Sequence, residues 1–149
     1  MTRGGFYWLF KSRGDLLDGL LKNWEQTNTR PFERVLNSGG KGVDKLNALF
    51  DMWLQEVDYS PAYDSAIRDW ARMSIKVATV VKRVDDKRIM LIKTIFLGLG
   101  YADDEAFIRA RIVYFHQIGY YTLGLRETRV KRSSYRHLYM KILSGLDET

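Results

Sequence analysis

The sequence predicts an all-α protein of several helices, and three observations carry that expectation. Apolar residues recur at three- and four-residue spacing along most of the chain. Only two prolines interrupt the 149 residues. Runs that alternate polar and β-branched residues, the mark of half-buried strands, are few. With 46% hydrophobic residues the chain is globular. At this length one domain is the default, and it buries about two-thirds of its unfolded surface.

The elements follow in order. Thr2 is placed to cap a short helix over residues 2–9, which carries the bulky run Phe6-Tyr7-Trp8-Leu9-Phe10. Lys11-Ser12-Arg13-Gly14 reads as a turn, with Ser12 and Asp15 at capping-box spacing. Leu16, Leu17, Leu20, Leu21 and Trp24 then stripe a helix that Pro31 is expected to bend. The clearest break is Asn37-Ser38-Gly39-Gly40-Lys41-Gly42, which divides the chain into 1–36 and 37–149. Leu46, Leu49, Phe50, Trp53, Leu54 and Val57 mark an amphipathic helix, and a turn at Tyr59-Ser60-Pro61 leads to a short one with Ile67, Trp70 and Ala71. Residues 75–98 form a long helix striped by Val77, Val81, Val84, Leu91, Ile92 and Ile95, roughly 36 Å in length. Gly98 and Gly100 end it, and Asp103 is expected to cap its successor.

That successor, residues 103–125, has three apolar faces. One carries Ile108, Ile112, Phe115, Gly119 and Leu123, a second Phe107, Tyr114, Ile118, Tyr121 and Leu125, and a third the smaller Ala106, Ala110 and Val113 with Tyr120 and Gly124. A helix apolar on most sides must be covered on most sides. One layer of a 149-residue chain does not suffice, so a partner subunit is expected. A last helix over 134–143 supplies Leu138, Tyr139, Ile142 and Leu143.

Composition excludes several functions. There is no cysteine, hence no disulfide, zinc-thiolate site or cysteine nucleophile, in keeping with a cytoplasmic protein. The run at 6–10 is too short for a signal peptide, and no stretch approaches the roughly 18 apolar residues of a membrane span. His116 and His137 share no helical turn, and no metal-ligand spacing or nucleophile motif occurs. No enzyme, metal or cofactor is therefore expected. Asp85-Asp86 reads as a surface turn of helix, and Asp103-Asp104-Glu105 as a helix N-terminus. The net charge is +6. The first thirteen residues hold Arg3, Lys11 and Arg13 with no acid, while Arg126, Arg129, Lys131, Arg132 and Arg136 form a second basic stretch, read as a solvated face. Trp53, Tyr63, Trp70, Phe96, Phe115, Tyr120 and Tyr121 sit on several helices. They fit an aromatic-rich core or, alternatively, a cavity with His116 and Gln117 as polar tips, suited to a small apolar molecule.

Thr2-Arg3-Gly4-Gly5-Phe6-Tyr7-Trp8-Leu9-Phe10-Lys11-Ser12-Arg13, followed by Asp15-Leu16-Leu17, resembles the recognition helix and next helix of TetR-family transcriptional repressors. Asp69-Trp70-Ala71-Arg72, Val84 to Ile89, and Arg109-Ala110-Arg111 through Gly119-Tyr120-Tyr121 are similar to regulatory domains of the same family. The resemblance implies a TetR-type all-helical regulatory domain preceded by a partial helix–turn–helix. It implies that Thr2 and Tyr7 touch phosphate, Arg3 and Trp8 face bases, Gly5 lets the backbone approach, and Lys11 pins a phosphate. Leu9 departs from the family's His or Tyr. An effector cavity is implied at Trp53, Tyr63, Trp70, Phe96, Phe115, His116 and Tyr120. Dimerisation through the last two helices would place Ile108, Ile112, Gly119, Leu123, Leu138 and Ile142 at the interface. The implied partners are a second copy, operator DNA and a small apolar or aromatic effector, with no membrane. Two further helices are expected ahead of Thr2, with a valine codon misread as the start at Met1, and a deliberate truncation or a naturally shortened protein as the alternatives. Residues 1–13 alone are expected to be poorly ordered, and specific operator binding by these 149 residues to be lost. A dimerising sensor without DNA binding, or a small helical enzyme using His116, are the alternatives.

Overall fold

The computed structural model describes residues 11–146. Among them the protein is all-α without strands: α1 Arg13–Asn37, α2 Gly42–Gln55, α3 Pro61–Ala71, α4 Ile75–Gly98, α5 Asp103–Thr122 and α6 Arg129–Ser144. The expected helix at 2–9 lies outside the described residues.

Most helix starts follow their caps. The Ser12 hydroxyl accepts from Asp15 N at 3.1 Å, and Ser60 accepts from Tyr63 N at 3.2 Å, with Pro61 in the first turn where a missing N–H costs nothing. Two starts differ from expectation. Ala102, not Asp103, is the N-cap of α5, so Asp103, Asp104 and Glu105 act through their charge at the positive helix end. α6 begins at Arg129 rather than near 134, because the Thr128 hydroxyl accepts from Lys131 N at 3.2 Å and starts the helix within the basic stretch. α1 runs through the buried Pro31 without a break.

α4 stands at the centre, packed against α1, α2, α3 and α5. Its first turns set Val77, Val81 and Val84 against Leu21 and Trp24 of α1 and Ile67 of α3. Its later turns set Ile89, Ile92, Ile95 and Phe96 against Phe32 and Val35 of α1, Leu46, Leu49 and Trp53 of α2, and Ala106, Ala110, Val113 and Tyr114 of α5. The small-residue face of α5 is thus the inward one. The expected boundary at 36/37 falls at the end of α1, yet Phe32 and Val35 share one core with Leu46 and Leu49 across it. Gly42 allows α2 to start against the end of α4: a Cβ there would stand 2.9 Å from the Leu99 side chain and 3.0 Å from the Gly98 backbone. No described helix is long and apolar enough to cross a membrane.

Candidate functional site

Arg129, Arg132 and Arg136 recur at three- and four-residue spacing on α6 and reach across to α2. Arg129 Nη2 donates to Gln55 O at 3.1 Å, Arg132 Nη2 to Trp53 O at 3.4 Å, and Arg136 Nη2 to Asn47 O at 3.1 Å. Arg136 also pairs with Asp51 at 2.8 Å and Arg132 with Glu56 at 3.3 Å. The expected solvated face is corrected for Arg132 and Arg136, which are partly buried, while Arg129 stays exposed. Two of them place positive charge on the last carbonyls of α2, where the helix dipole favours it. Arg126 and Lys131 remain exposed.

This clamp frames a shallow groove between α2, α5 and α6. Phe50, Trp53 and Leu54 line it from α2, His116, Gln117 and Tyr120 from α5, and Arg132, Arg136 and Tyr139 from α6, with Glu127 from the preceding loop. The His116 and Tyr139 rings lie 4.9 Å apart. The Arg132 guanidinium stands 4.5 Å over the Tyr120 ring, whose hydroxyl donates to Glu127 Oε2 at 3.2 Å. Burial, and then the Arg132 charge, hold His116 below the usual histidine value, so its ring is neutral at pH 7. Burial pushes Tyr121 up to about 12, and its hydroxyl donates to Trp53 O at 3.1 Å. The groove therefore offers aromatic faces and donors, with no nucleophile, base and orienter in line. Among the described residues no three His, Cys, Asp or Glu side chains are grouped to hold a metal ion.

Of the residues expected to line an effector cavity, Trp53, His116 and Tyr120 meet in this groove. The others do not, which corrects the expected convergence. Tyr63 OH donates to Leu20 O at 2.8 Å and pins α3 to α1. Trp70 flanks the smaller core. Phe96 is wholly buried in the larger one, 6.0 Å from the Tyr101 ring. Phe115 is exposed beneath Arg111, because one residue of helical rotation carries it away from His116. Phe50, Leu54, Glu127, Arg132, Arg136 and Tyr139 also line the groove, beyond the residues expected there. The spacing of Arg129, Arg132 and Arg136 was the available sign that they share a face.

A second polar constellation lies where the two apolar clusters meet, and sequence reasoning missed it. Arg88 is 0% exposed, its Cζ 5.2 Å from the Trp24 ring and 5.3 Å from the Phe32 ring. Asp64 accepts from Arg88 Nη1 at 2.9 Å, Arg68 Nε at 2.8 Å and Trp24 Nε1 at 3.1 Å. Burial raises the cost of its charge, but the Arg88 and Arg68 guanidiniums outweigh burial and hold the carboxyl below the usual range. Arg68 also binds both oxygens of Asp85 at 3.0 and 2.7 Å, and the Tyr114 hydroxyl donates to Asp85 Oδ1. Asp85 is thus not the surface residue expected; only Asp86 is, paired with Lys82 at 2.6 Å.

Five of the six predicted interface residues are among the large apolar side chains that the fold leaves exposed, and Gly119 is partly buried. Ile108 and Ile112 are about half exposed, Leu123 is 74% exposed, and Leu138 and Ile142 of α6 are exposed too, Ile142 at 73%. A Cβ at Gly119 would meet nothing within 4 Å, so the middle of the α5 stripe is open. Of the predicted DNA contacts, Thr2, Arg3, Gly5, Tyr7 and Trp8 lie outside the described residues, and Lys11 is exposed ahead of the Ser12 cap.

No family model matches the chain, and neither the curated proteins nor the solved structures give a significant match.

Proposed function

We propose that the protein is a TetR-type transcriptional regulator, a repressor that binds operator DNA as a dimer and is released by a small apolar or aromatic effector. The observation that carries this reading is the pair of uncovered apolar stripes, Ile108, Ile112, Phe115 and Leu123 on α5 and Leu138 and Ile142 on α6. Side chains of this size gain about 1.5–3 kcal/mol each when fully buried. A second copy offers the same stripes in return, as a two-fold interface requires. The resemblance of residues 2–13 to a recognition helix supplies the DNA-reading role.

The route from effector to DNA runs through α2 and α1. Trp53 of the groove and Phe32 of α1 share the larger core, with ring centroids 5.9 Å apart. A ligand that shifts α2 therefore presses on the C-terminal half of α1, whose other end adjoins residues 2–12. That other end is held on α4 in part by exposed ion pairs, Lys76–Asp18 at 2.7 Å and Arg83–Glu25 at 2.8 Å. Such pairs contribute about 0–1 kcal/mol each, so the firmer anchoring of this half on α4 comes from the buried Leu21 and Trp24.

Light scattering on the eluting protein tests the dimer. The expected mass is that of two chains, and Ile112→Glu with Ile142→Glu gives one. A monomeric wild-type chain at micromolar concentration refutes the interface. Gel-shift titration against DNA flanking its own gene tests the second half. A dimer with no sequence-specific DNA binding leaves only a sensing module.

A further inference from the structure

The passage from α3 to α4 carries the two most exposed large apolar side chains among the described residues, Met73 and Ile75, each 88% exposed. Three contacts set this passage beside the start of α1. Asn28 Nδ2 donates to Ser60 O at 3.1 Å, and Trp24 Nε1 to Asp64 Oδ1 at 3.1 Å. These bonds run α3 antiparallel to α1, so its last residues, Trp70 and Ala71, come level with the first turns of α1. Lys76 then pairs with Asp18 at 2.7 Å and holds the start of α4 against the same turns. Leu16 and Leu17 are only partly buried there, and Leu20 is 42% exposed. One end of the molecule thus gathers apolar side chains from α1, α3 and α4 that no described residue covers.

The chain itself enters at this end. Ser12 caps α1, and the apolar run Phe6 to Phe10 stops two residues ahead of that cap. Two residues span at most about 7 Å, which ties Phe10 to the rim of the patch. A tether this short corresponds to an effective concentration of about 1 mM, well above that of a second copy in a micromolar solution. At helical spacing Phe6, Leu9 and Phe10 share one face, and Tyr7, Trp8 and Lys11 turn away from it.

We propose that this apolar end is the docking site of the chain's own residues 6–10, with Phe6, Leu9 and Phe10 laid against Met73 and Ile75. Docking removes apolar surface from water on both sides of the contact. It goes beyond the regulator reading and needs neither DNA nor effector. It also leaves outward Tyr7, Trp8 and Lys11, three of the residues to which the TetR resemblance gives DNA contacts.

Chymotrypsin digestion of the full chain, read by mass spectrometry, tests the docking, because the enzyme cuts after Phe, Tyr, Trp and Leu only where the segment is released. Bonds after residues 6–10 are expected to be cut about tenfold more slowly than in a free peptide of residues 1–12. Met73→Lys with Ile75→Lys removes that protection, and the exposure of both positions keeps the fold intact by circular dichroism. Met90→Lys makes the same change at a 49% exposed position about 22 Å further along α4 and leaves the protection in place. Equal cutting of chain and peptide, or protection unchanged by the double substitution, overturns the proposal. The chain has no cysteine, so a disulfide gives a second reading. Leu9→Cys with Met73→Cys is expected to join within one chain on mild oxidation, and Leu9→Cys with Met90→Cys is not. A bond formed only between chains gives the patch to a second copy and overturns the proposal, as does the absence of any bond. Either failure leaves the regulator reading standing, and a chain that docks without binding DNA leaves the docking standing.

Discussion

The Asp64–Arg88 cluster and the α2/α5/α6 groove are made of the same residue types, arginines on helix faces beside carboxylates and tyrosines. They behave differently because one is closed and the other is not. Around Asp64 the bonds are short, Arg68 grips Asp85 with two nitrogens, and Arg88 is sealed beneath Trp24 and Phe32. In the groove, Arg132 makes two long bonds and Gln117 Nε2 makes none, while in the sealed site Arg88 Nε and Nη2 are likewise without a partner. Burial makes each partner in the first site indispensable, since a lone charge there has no water to turn to. In the second, solvent or a ligand completes what the protein leaves undone. The first is a joint of the fold, and the second is the open site to which the proposed effector is assigned.

The sharpest way to break this contrast is at Asp64. Asp64→Leu strands Arg88, whose other bond is a 3.4 Å contact with the Tyr114 hydroxyl. Urea unfolding at fixed protein concentration should show a loss of about 3–5 kcal/mol. Adding Arg88→Met should recover most of that loss, a coupling that separates pairing from packing. Recovery of none of it would mean that Asp64 acts only through Arg68 and Trp24.

The next effect is on pH dependence. The folded Asp64 carboxyl titrates below its unfolded value of about 3.9, so its stabilisation is complete above that value and is lost as pH falls through the folded one. Asp64→Asn should flatten the acid limb of the stability profile, read as melting temperature from pH 6 downward. An unchanged limb would assign acid sensitivity to other carboxylates.

Smaller effects belong to the open site and the surface. Arg132→Gln should cost about 1 kcal/mol, because water replaces its long bonds. Ser12→Ala should cost about 1 kcal/mol through the lost α1 cap. Lys82→Ala, which breaks an exposed pair with Asp86, should change stability by less than about 0.5 kcal/mol. A Lys82 effect as large as that of Asp64 would erase the distinction between closed and open ion pairs.

Much of the fold was legible in the residues. The stripes at 46–54 and 77–95 appear as the buried faces of α2 and α4, and Ser12 and the Ser60-Pro61 pair start their helices as their chemistry requires. Arg88 was hidden because charge usually marks the outside of a helix. It nevertheless stands at helical spacing between Val84 and Ile92, within the very stripe that buries α4. The groove is half legible: Trp53, His116 and Tyr120 stand out in the sequence, whereas Arg132 and Arg136 read there as a solvated face and Tyr139 as part of an apolar stripe. Tyr63, Trp70 and Phe96 were grouped with them on aromatic character alone, which says nothing about which helix faces which.

Periodicity, caps and the absence of cysteine determined by themselves an all-helical chain with one over-apolar helix. Those are local properties, set by rotation per residue and by backbone donors near a hydroxyl. Only the tertiary structure decided which of the three apolar faces of α5 turned inward. The small side chains of Ala106 and Ala110 let α5 lie close against α4, and the bulkier Ile108, Ile112 and Leu123 were left outside. It also decided which arginines became buried partners and which became a groove wall, because a charge finds its role from what packs over it.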